Sequence, residues 1–211
     1  MSEKMTDNFI MRIQLETIQN IVGENGLKSI LNYGGLEHYI NNFPLENNDL
    51  EIPAQDVQKL YLTLIELFGI RGAWGLQVRS GREFVRLFLE KSPTLTRTVK
   101  VATKLLPEVN RIKFALDQFI EQDNKRFTSE SGESRVILQE KDDGFLIIYR
   151  DNHLSEGVTS QEPVCGAIVG NLMQLVEWIT GHTHEVREIQ CKALGHDTDT
   201  FFIAKSRKEP D

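Results

Sequence analysis

The amino-acid sequence predicts an α+β domain in which an antiparallel sheet of about four strands packs with helices and is preceded by a helical N-terminal half. Up to about residue 130, apolar residues recur at the three- and four-residue spacing of helices. Beyond it, they gather in short β-branched runs separated by turn residues. The length of 211 residues, with 40% hydrophobic and 26% charged residues, fits one large globular domain with its own core.

Five helices are predicted in the N-terminal half. The first begins after Asn8, its predicted N-cap, and ends at Gly23. The second begins at Pro53, a residue type favoured in the first helical turn, and ends at Gly69. Three further helices follow, over about residues 74–88, 94–106 and 109–120.

The sheet is predicted from four apolar runs, at residues 136–138, 145–149, 183–193 and 200–204. Asp142, Asp143 and Gly144 form a turn that joins the first two runs into a hairpin. A helix over residues 164–180, with Gly181 as its C-cap, crosses the sheet before the last two strands.

Charge and composition exclude several classes of function. The chain has 24 Lys and Arg residues against 31 Asp and Glu, a net charge of −7, which argues against nucleic acid as the main partner. No apolar run approaches the length of a transmembrane segment, and the N-terminus lacks the apolar core of a signal peptide. Two cysteines cannot form a disulfide framework, so we expect a cytoplasmic protein.

Enzyme signatures are missing from the sequence. It contains no glycine-rich phosphate loop, no Gly-x-Ser-x-Gly nucleophile elbow, no His-Glu-x-x-His motif and no dinucleotide fingerprint. We therefore predict no catalytic residue and expect a protein that is not an enzyme.

The C-terminal third contains a set of residues suited to a metal. Glu188 and Cys191 lie three residues apart on a predicted strand, Asp199 follows a tight turn, and Cys165 belongs to the helix packed on that strand. Thiolate sulfur and carboxylate oxygen both suit zinc, with Glu188 or His196 as the fourth ligand beside the other three. Unpaired cysteines are also commonly buried as small hydrophobes, so a purely structural role stays open.

Several short motifs follow one another along the chain: Gly81-x-x-Phe84, Cys165, Val186-x-Glu188-x-x-Cys191, Gly195 and Phe201. In this order and spacing they resemble the 4-vinyl reductase (hydrocarbon-binding) domain family over most of residues 55–205. The resemblance implies a homodimer with a pocket for a small apolar or aromatic molecule, and a fold related to nitric oxide sensors and vesicle-tethering subunits. Where the family has its last cysteine this chain has Asp199, so the implied metal site is altered or lost.

The resemblance places an apolar pocket between the helices and the sheet. Six aromatic residues are predicted to line it: Trp74, Phe84, Phe88, Phe119, Tyr149 and Trp178. Aromatic residues at helical spacing also form ordinary core, and that alternative stays open. Gly72, Gly75 and Gly81 would let a backbone or a flat ligand approach one helix closely. The chain then divides into a helical segment (1–52), a ligand-binding domain (53–205) and a frayed tail (206–211).

Three histidines, His182, His184 and His196, cluster near the predicted end of the sheet. A neutral imidazole can ligate the metal of a tetrapyrrole. His182 and His184 fall in a predicted turn, and we expect them to be solvated.

These observations predict non-enzymatic binding of a small hydrophobic molecule by a carrier, sensor or assembly factor. The resemblance implies a tetrapyrrole or its precursor as ligand, and a role in pigment (chlorophyll) or photosystem biogenesis, in the cytoplasm or at a membrane through a protein partner. Two alternatives remain: an accessory subunit of a vinyl-tetrapyrrole reductase supplied by an external electron donor, and a protein-interaction scaffold without a ligand.

Overall fold

The computed structural model describes residues 4–126 and 134–209. These residues form a four-stranded antiparallel sheet and five α-helices, with one further short pair of strands. The predicted α+β class, with a helical N-terminal half, is confirmed. The elements are β1 (Met5–Thr6), α1 (Asn8–Tyr33), β2 (Ile52–Pro53), α2 (Ala54–Lys91), α3 (Pro93–Thr103), α4 (Glu108–Arg126), β3 (Val136–Glu140), β4 (Gly144–Tyr149), α5 (Gly166–Thr180), β5 (His184–Gln190) and β6 (Asp199–Arg207).

The main sheet has the strand order β3-β4-β6-β5, with every neighbouring pair antiparallel. The predicted hairpin around Gly144 is present as β3 and β4. The strands near the C-terminus differ from the prediction at their ends: β5 stops at Gln190, and β6 continues to Arg207, into the tail predicted to be frayed. A separate short pair, β1 with β2, was not predicted from the sequence.

Helices α1 and α2 each bend at a glycine where the sequence predicted an end. Gly23 and Gly69 have φ angles of +79° and +71°, a backbone conformation that favours glycine, and the helix resumes directly after each of them. The predicted N-cap Asn8 is wrong by one residue. Asp7 is the cap, and its side chain accepts a hydrogen bond from the Ile10 amide at 2.9 Å.

Two buried clusters hold the fold together. The first lies between the sheet and helices α4 and α5, and its largest fully buried members include Ile112, Phe145 and Phe201. The second packs α1 against the first half of α2 and includes Met11, Leu15, Leu31, Leu60 and Leu64. The long helix α2 therefore connects the N-terminal helices to the layer that covers the sheet.

Helices α2 and α5 approach each other closely through two glycines. A Cβ atom on Gly81 would lie 2.0 Å from the carbonyl oxygen of Ala167, and one on Gly170 would lie 2.1 Å from the carbonyl oxygen of Val78. The predicted close approach at Gly81 is thus confirmed, whereas Gly75 has open space beside it. Because backbone contacts backbone here, no ligand fits between the two helices at this crossing.

No helix within the described ranges is long and apolar enough to cross a membrane.

Candidate functional site

Four predicted metal-ligating residues meet at one buried point, which we call the cysteine cluster: Cys165, Glu188, Cys191 and Asp199. Their ligand atoms all lie within 4.8 Å of one another. Both cysteines and Asp199 are fully buried, and Glu188 is half-buried. His196, the alternative fourth residue, is exposed and does not belong to the cluster.

The chain forms the cluster where β5 ends and β6 begins. Glu188 lies on β5, Cys191 follows the last residue of that strand, and Asp199 is the first residue of β6. Between them, a single 3₁₀ turn (Lys192–Leu194) and the loop after it reverse the chain direction. Cys165 directly precedes α5 and brings the start of that helix to the same point. Residues from three elements are thereby connected at one site.

Two further residues surround the cluster, and the sequence did not identify them. The Asn152 amide donates hydrogen bonds to an Asp199 carboxylate oxygen at 2.9 Å and to the Cys165 sulfur at 3.3 Å. The Ser155 hydroxyl donates to the same Asp199 oxygen at 2.5 Å, and the Lys192 backbone amide donates to the other at 2.7 Å. Partners of this kind fix the orientation of metal ligands. Neither residue was among the predicted ligands, because zinc is bound by thiolate, imidazole and carboxylate groups and not by amides or hydroxyls.

The pKa values of three residues in the cluster are strongly shifted. Burial, together with a hydrogen bond to Cys191, raises the pKa of Glu188 to about 9. The hydrogen bond from Cys165 lowers the pKa of Cys191 to about 6. The hydrogen bond to Cys191 and burial together raise the pKa of Cys165 well above its ordinary value. These directions favour Cys191 as the first thiol of the cluster to lose its proton, ahead of Cys165.

The residues of the cluster fit a divalent metal ion. The Glu188 carboxylate has one oxygen, Oε1, that is buried without a hydrogen-bond partner in the described part of the chain, while Oε2 accepts from the Cys165 amide at 3.1 Å. Two thiolates and two carboxylates supply four donors of the types that zinc binds. A bound ion would displace the thiol and carboxyl protons and occupy the free lone pairs of Oε1.

A cavity of about 620 Å³ lies beside the cluster, between α2, α5 and β5. We call it the thiol-side cavity because Glu188 belongs both to its wall and to the cysteine cluster. Most of its wall is apolar, as small-molecule sites generally are. The apolar residues are Ile70, Trp74, Gly75, Val78, Pro163, Val169, Met173 and Val186.

The six aromatic residues predicted to line one pocket lie in different places. Trp74 lines the thiol-side cavity, and Trp178 lines a second cavity of about 630 Å³. Phe84 packs on Phe9 and Phe88, with ring centroids 5.5 Å and 6.5 Å apart. Tyr149 is buried with its ring 5.8 Å from Phe201, and Phe119 packs against the core beside the sheet. The structure therefore does not bring the six residues together.

The histidines also differ from the expectation. The prediction that His184 is solvated is wrong, because its ring is buried between the Ala204 carbonyl oxygen at 3.0 Å and the Glu108 carboxylate at 3.2 Å. His182 is half-buried and lies 3.3 Å from the same carboxylate. Burial lowers the pKa of His153 to about 4. No histidine lines the thiol-side cavity or the second cavity.

Comparison with solved structures finds a similar fold in H-NOX proteins and in the sensory domain of a transcription activator. The Fe(II) unliganded H-NOX protein from K. algicida is 12% identical, with a TM-score of 0.61 over 96% of this chain and 97% of that chain. An H-NOX structure from a study of heme distortion is 14% identical, with a TM-score of 0.60 over 97% and 98%. The phenol-responsive sensory domain of the transcription activator PoxR, solved with phenol, is 15% identical, with a TM-score of 0.50 over 75% and 77%.

At such low identity the likeness shows a shared fold and leaves function to be argued from the site. The sequence matches no protein-family model, and no curated protein matches it significantly.

Heme held by a histidine does not fit either of these two cavities in the described part of the chain. Heme iron in proteins is bound by an axial side chain, most commonly histidine. Neither cavity offers one among its lining residues, and the buried His184 is already engaged by Ala204 and Glu108. A tetrapyrrole would have to be held by other contacts.

Proposed function

We propose that this chain binds a small apolar molecule in the thiol-side cavity, without chemical turnover, and that a divalent metal ion in the cysteine cluster holds one wall of that cavity in place. The observation that carries the proposal is the double position of Glu188, which belongs to the cavity wall and to the cluster at once. Any change at the cluster would therefore reach the cavity directly.

The apolar part of the wall suits a ligand with few polar groups, while Arg71, Glu162 and Arg187 make up the charged part together with Glu188. Trp74 and Val78 from α2 face Val169 and Met173 from α5 across it, so both helices contribute apolar surface. Contact with such surface is worth about 25 cal/mol per Å² of apolar area removed from water. Small ligands with mostly apolar surface therefore gain the most binding free energy from this cavity.

The metal site is the second component of the proposal. A bound zinc ion would cross-link the start of α5 to the end of β5 and the start of β6, and would offset part of the negative charge of the four ionised ligands. Asn152 and Ser155 hold the Asp199 carboxylate in place for this role through hydrogen bonds of 2.9 Å and 2.5 Å. The heme of the H-NOX structure and the phenol of the PoxR sensory domain give precedent for small-molecule binding on a similar fold.

A fluorescence titration tests the cavity. The chain has two tryptophans, so Trp178→Phe leaves Trp74 as the only one to report on the thiol-side cavity. We expect toluene to shift the emission of this variant to shorter wavelength in a saturable way, because the ligand displaces water from the indole ring.

A filled cavity provides the control. Gly75 lines the cavity and a Cβ atom there meets nothing within 4 Å, so Gly75→Leu in the Trp178→Phe background adds a bulky side chain at the cavity wall. Toluene binding should then be lost. Arg79→Leu, on the same helix but outside the cavity wall, should bind as the parent does. Emission that toluene leaves unchanged, or binding that survives Gly75→Leu, would refute the proposal.

The more specific expectations from the sequence stay predictions. These are the membership of the 4-vinyl reductase family, a tetrapyrrole ligand, a role in pigment biogenesis, the homodimer and the division at residue 53. The two alternatives predict opposite results in the toluene titration. The reductase-subunit alternative predicts binding in the cavity, and the scaffold alternative predicts none.

A further inference from the structure

The second cavity, of about 630 Å³, lies where the ends of α2 and α5 meet α3. We call it the basic cavity. Leu89 of α2 and Trp178 of α5 are half-buried and form an apolar floor, to which Val101 and Pro93 of α3 add apolar surface. It shares no lining residue with the thiol-side cavity.

Positive charge is concentrated at the rim of this cavity. In a chain with a net charge of −7, residues 91–107 contain four cationic residues and no carboxylate. Three of these cations, Arg97, Lys100 and Lys104, line the cavity and are exposed.

The carboxylate in the cavity lining does not balance this charge. Glu90 is engaged by Arg86, whose guanidinium group donates to it at 2.5 Å and also donates to Glu83. Arg86 with Glu83 and Glu90 carries one net negative charge, which is fewer than the three cations Arg97, Lys100 and Lys104, so positive charge remains in excess around the cavity.

The charge also lies directly against the apolar floor. The Lys100 ammonium group is 5.4 Å from the centre of the Trp178 ring, a cation–π arrangement. A ligand whose apolar part rests on Trp178 would therefore carry any attached anionic group into reach of Lys100. A neutral apolar molecule would leave the cations unused, and a small inorganic anion would leave the floor uncovered.

We propose that the basic cavity is a second binding site and that its ligand is an amphipathic carboxylate, an apolar chain or ring that ends in an ionised carboxyl group. The apolar part packs on Leu89 and Trp178. The carboxylate is paired with Arg97, Lys100 and Lys104, since charge-assisted hydrogen bonds to carboxylates are strong. The Gly81 crossing of α2 and α5 keeps this site separate from the thiol-side cavity.

Decanoate is a suitable probe. In a Trp74→Phe variant, Trp178 is the only tryptophan left, so its emission reports on the basic cavity alone. We expect a saturable change on adding decanoate at neutral pH, binding that weakens as salt is added, and about tenfold or more weaker binding of the uncharged analogue decan-1-ol.

Charge variants provide the matched comparison. Arg97→Gln with Lys104→Gln removes two exposed cations from the rim and should weaken decanoate binding about tenfold or more. Lys28→Gln with Lys125→Gln removes two cations far from the rim in sequence, each paired with a glutamate four residues earlier, and should leave binding unchanged.

Three results would overturn this second site: no response to decanoate, equal binding of decan-1-ol, or unaltered binding by the rim variant. A response to vesicles of anionic phospholipid without one to decanoate would also overturn it, and would assign the charge to a membrane surface. Toluene binding by the Trp178→Phe variant is measured separately, so failure here leaves the thiol-side proposal intact.

Discussion

The Gly81 Cα on α2 faces the Ala167 carbonyl oxygen on α5 with no side chain between them, and a Cβ built on Gly81 would lie 2.0 Å from that oxygen. Gly170 makes the reciprocal contact with the Val78 carbonyl oxygen. The two helices are thereby held at a fixed separation, and each of the two cavities takes one wall from α2 and another from α5. The geometry of both proposed sites depends on this crossing.

Gly81→Ala should destabilise the protein by about 1–3 kcal/mol, because the added methyl group pushes the two helix backbones apart. Gly75→Ala is the matched control on the same helix. Its Cβ meets nothing within 4 Å, and alanine favours a helix, so its free energy of unfolding should stay equal or rise by up to about 1 kcal/mol. Urea denaturation of both variants measures the difference. Equal stability of the two would show that the crossing is looser than the structure has it.

Glu108 should make stability depend on acid pH. Its carboxylate accepts hydrogen bonds from Arg207 and lies 3.3 Å and 3.2 Å from the rings of His182 and His184. The hydrogen bonds from Arg207, supported by the nearby charges, lower the pKa of Glu108 to about 2. A glutamate in the unfolded chain has a pKa of roughly 4.3.

The folded pKa is therefore depressed, and the stabilisation is complete above the unfolded pKa and lost as pH falls from about 5 towards 2. Glu108→Gln should lower the free energy of unfolding by about 1–2 kcal/mol at neutral pH. The loss is kept small because Arg207 is exposed and solvent screens its charge. The gap between variant and parent should narrow as acid is added. Urea unfolding of both proteins between about pH 5 and pH 2 measures this difference. A difference in stability that does not change with pH would contradict the lowered pKa of Glu108.

The cysteine cluster should bind one divalent ion per chain. Titration with cobalt(II) should give the absorption bands of a tetrahedral thiolate complex, and zinc should displace the cobalt. Cys191→Ser should remove most of the thiolate absorption. The control is His196→Ala, which removes an exposed imidazole outside the cluster and should bind as the parent does. Octahedral cobalt spectra without thiolate bands would exclude the cluster as the site.

Asn152 should matter for both stability and metal affinity. It is 1% exposed and donates to Asp199 and to Cys165, so Asn152→Ala leaves two buried acceptors with fewer partners. We expect a loss of about 1–3 kcal/mol in the free energy of unfolding and about 10–100-fold weaker zinc binding. Asn25→Ala changes an exposed asparagine on α1 and should alter neither. Zinc affinity equal to the parent's would remove Asn152 from the site.

The sequence predicted the class of fold and the chemistry of the cluster better than the shape of the ligand site. The helical spacing over residues 109–120 predicted α4, and the carboxylate and thiol spacing identified Glu188 and Cys191. Those signals are local, because each arises within one element or one turn.

The features that the sequence did not predict depend on contacts between elements far apart in the sequence. Phe84 and Trp178 both lie at helical spacing, yet Phe84 packs on Phe9 from α1 while Trp178 faces α3. Nothing within one helix distinguishes these environments. Ser155 similarly reaches Asp199 across 44 positions of sequence, a contact that no local spacing reveals. Gly23 was predicted to end a helix and instead bends one, because the helix that follows packs on α2.

Native mass spectrometry of protein purified from zinc-supplemented cells, with the Cys191→Ser variant beside it, tests the central proposal most directly. We predict that the parent chain carries the added mass of one metal ion and, with toluene present, of one toluene molecule, and that Cys191→Ser loses the metal. A parent chain that shows only its polypeptide mass, with zinc and toluene both supplied, would contradict the proposed metal-supported ligand site.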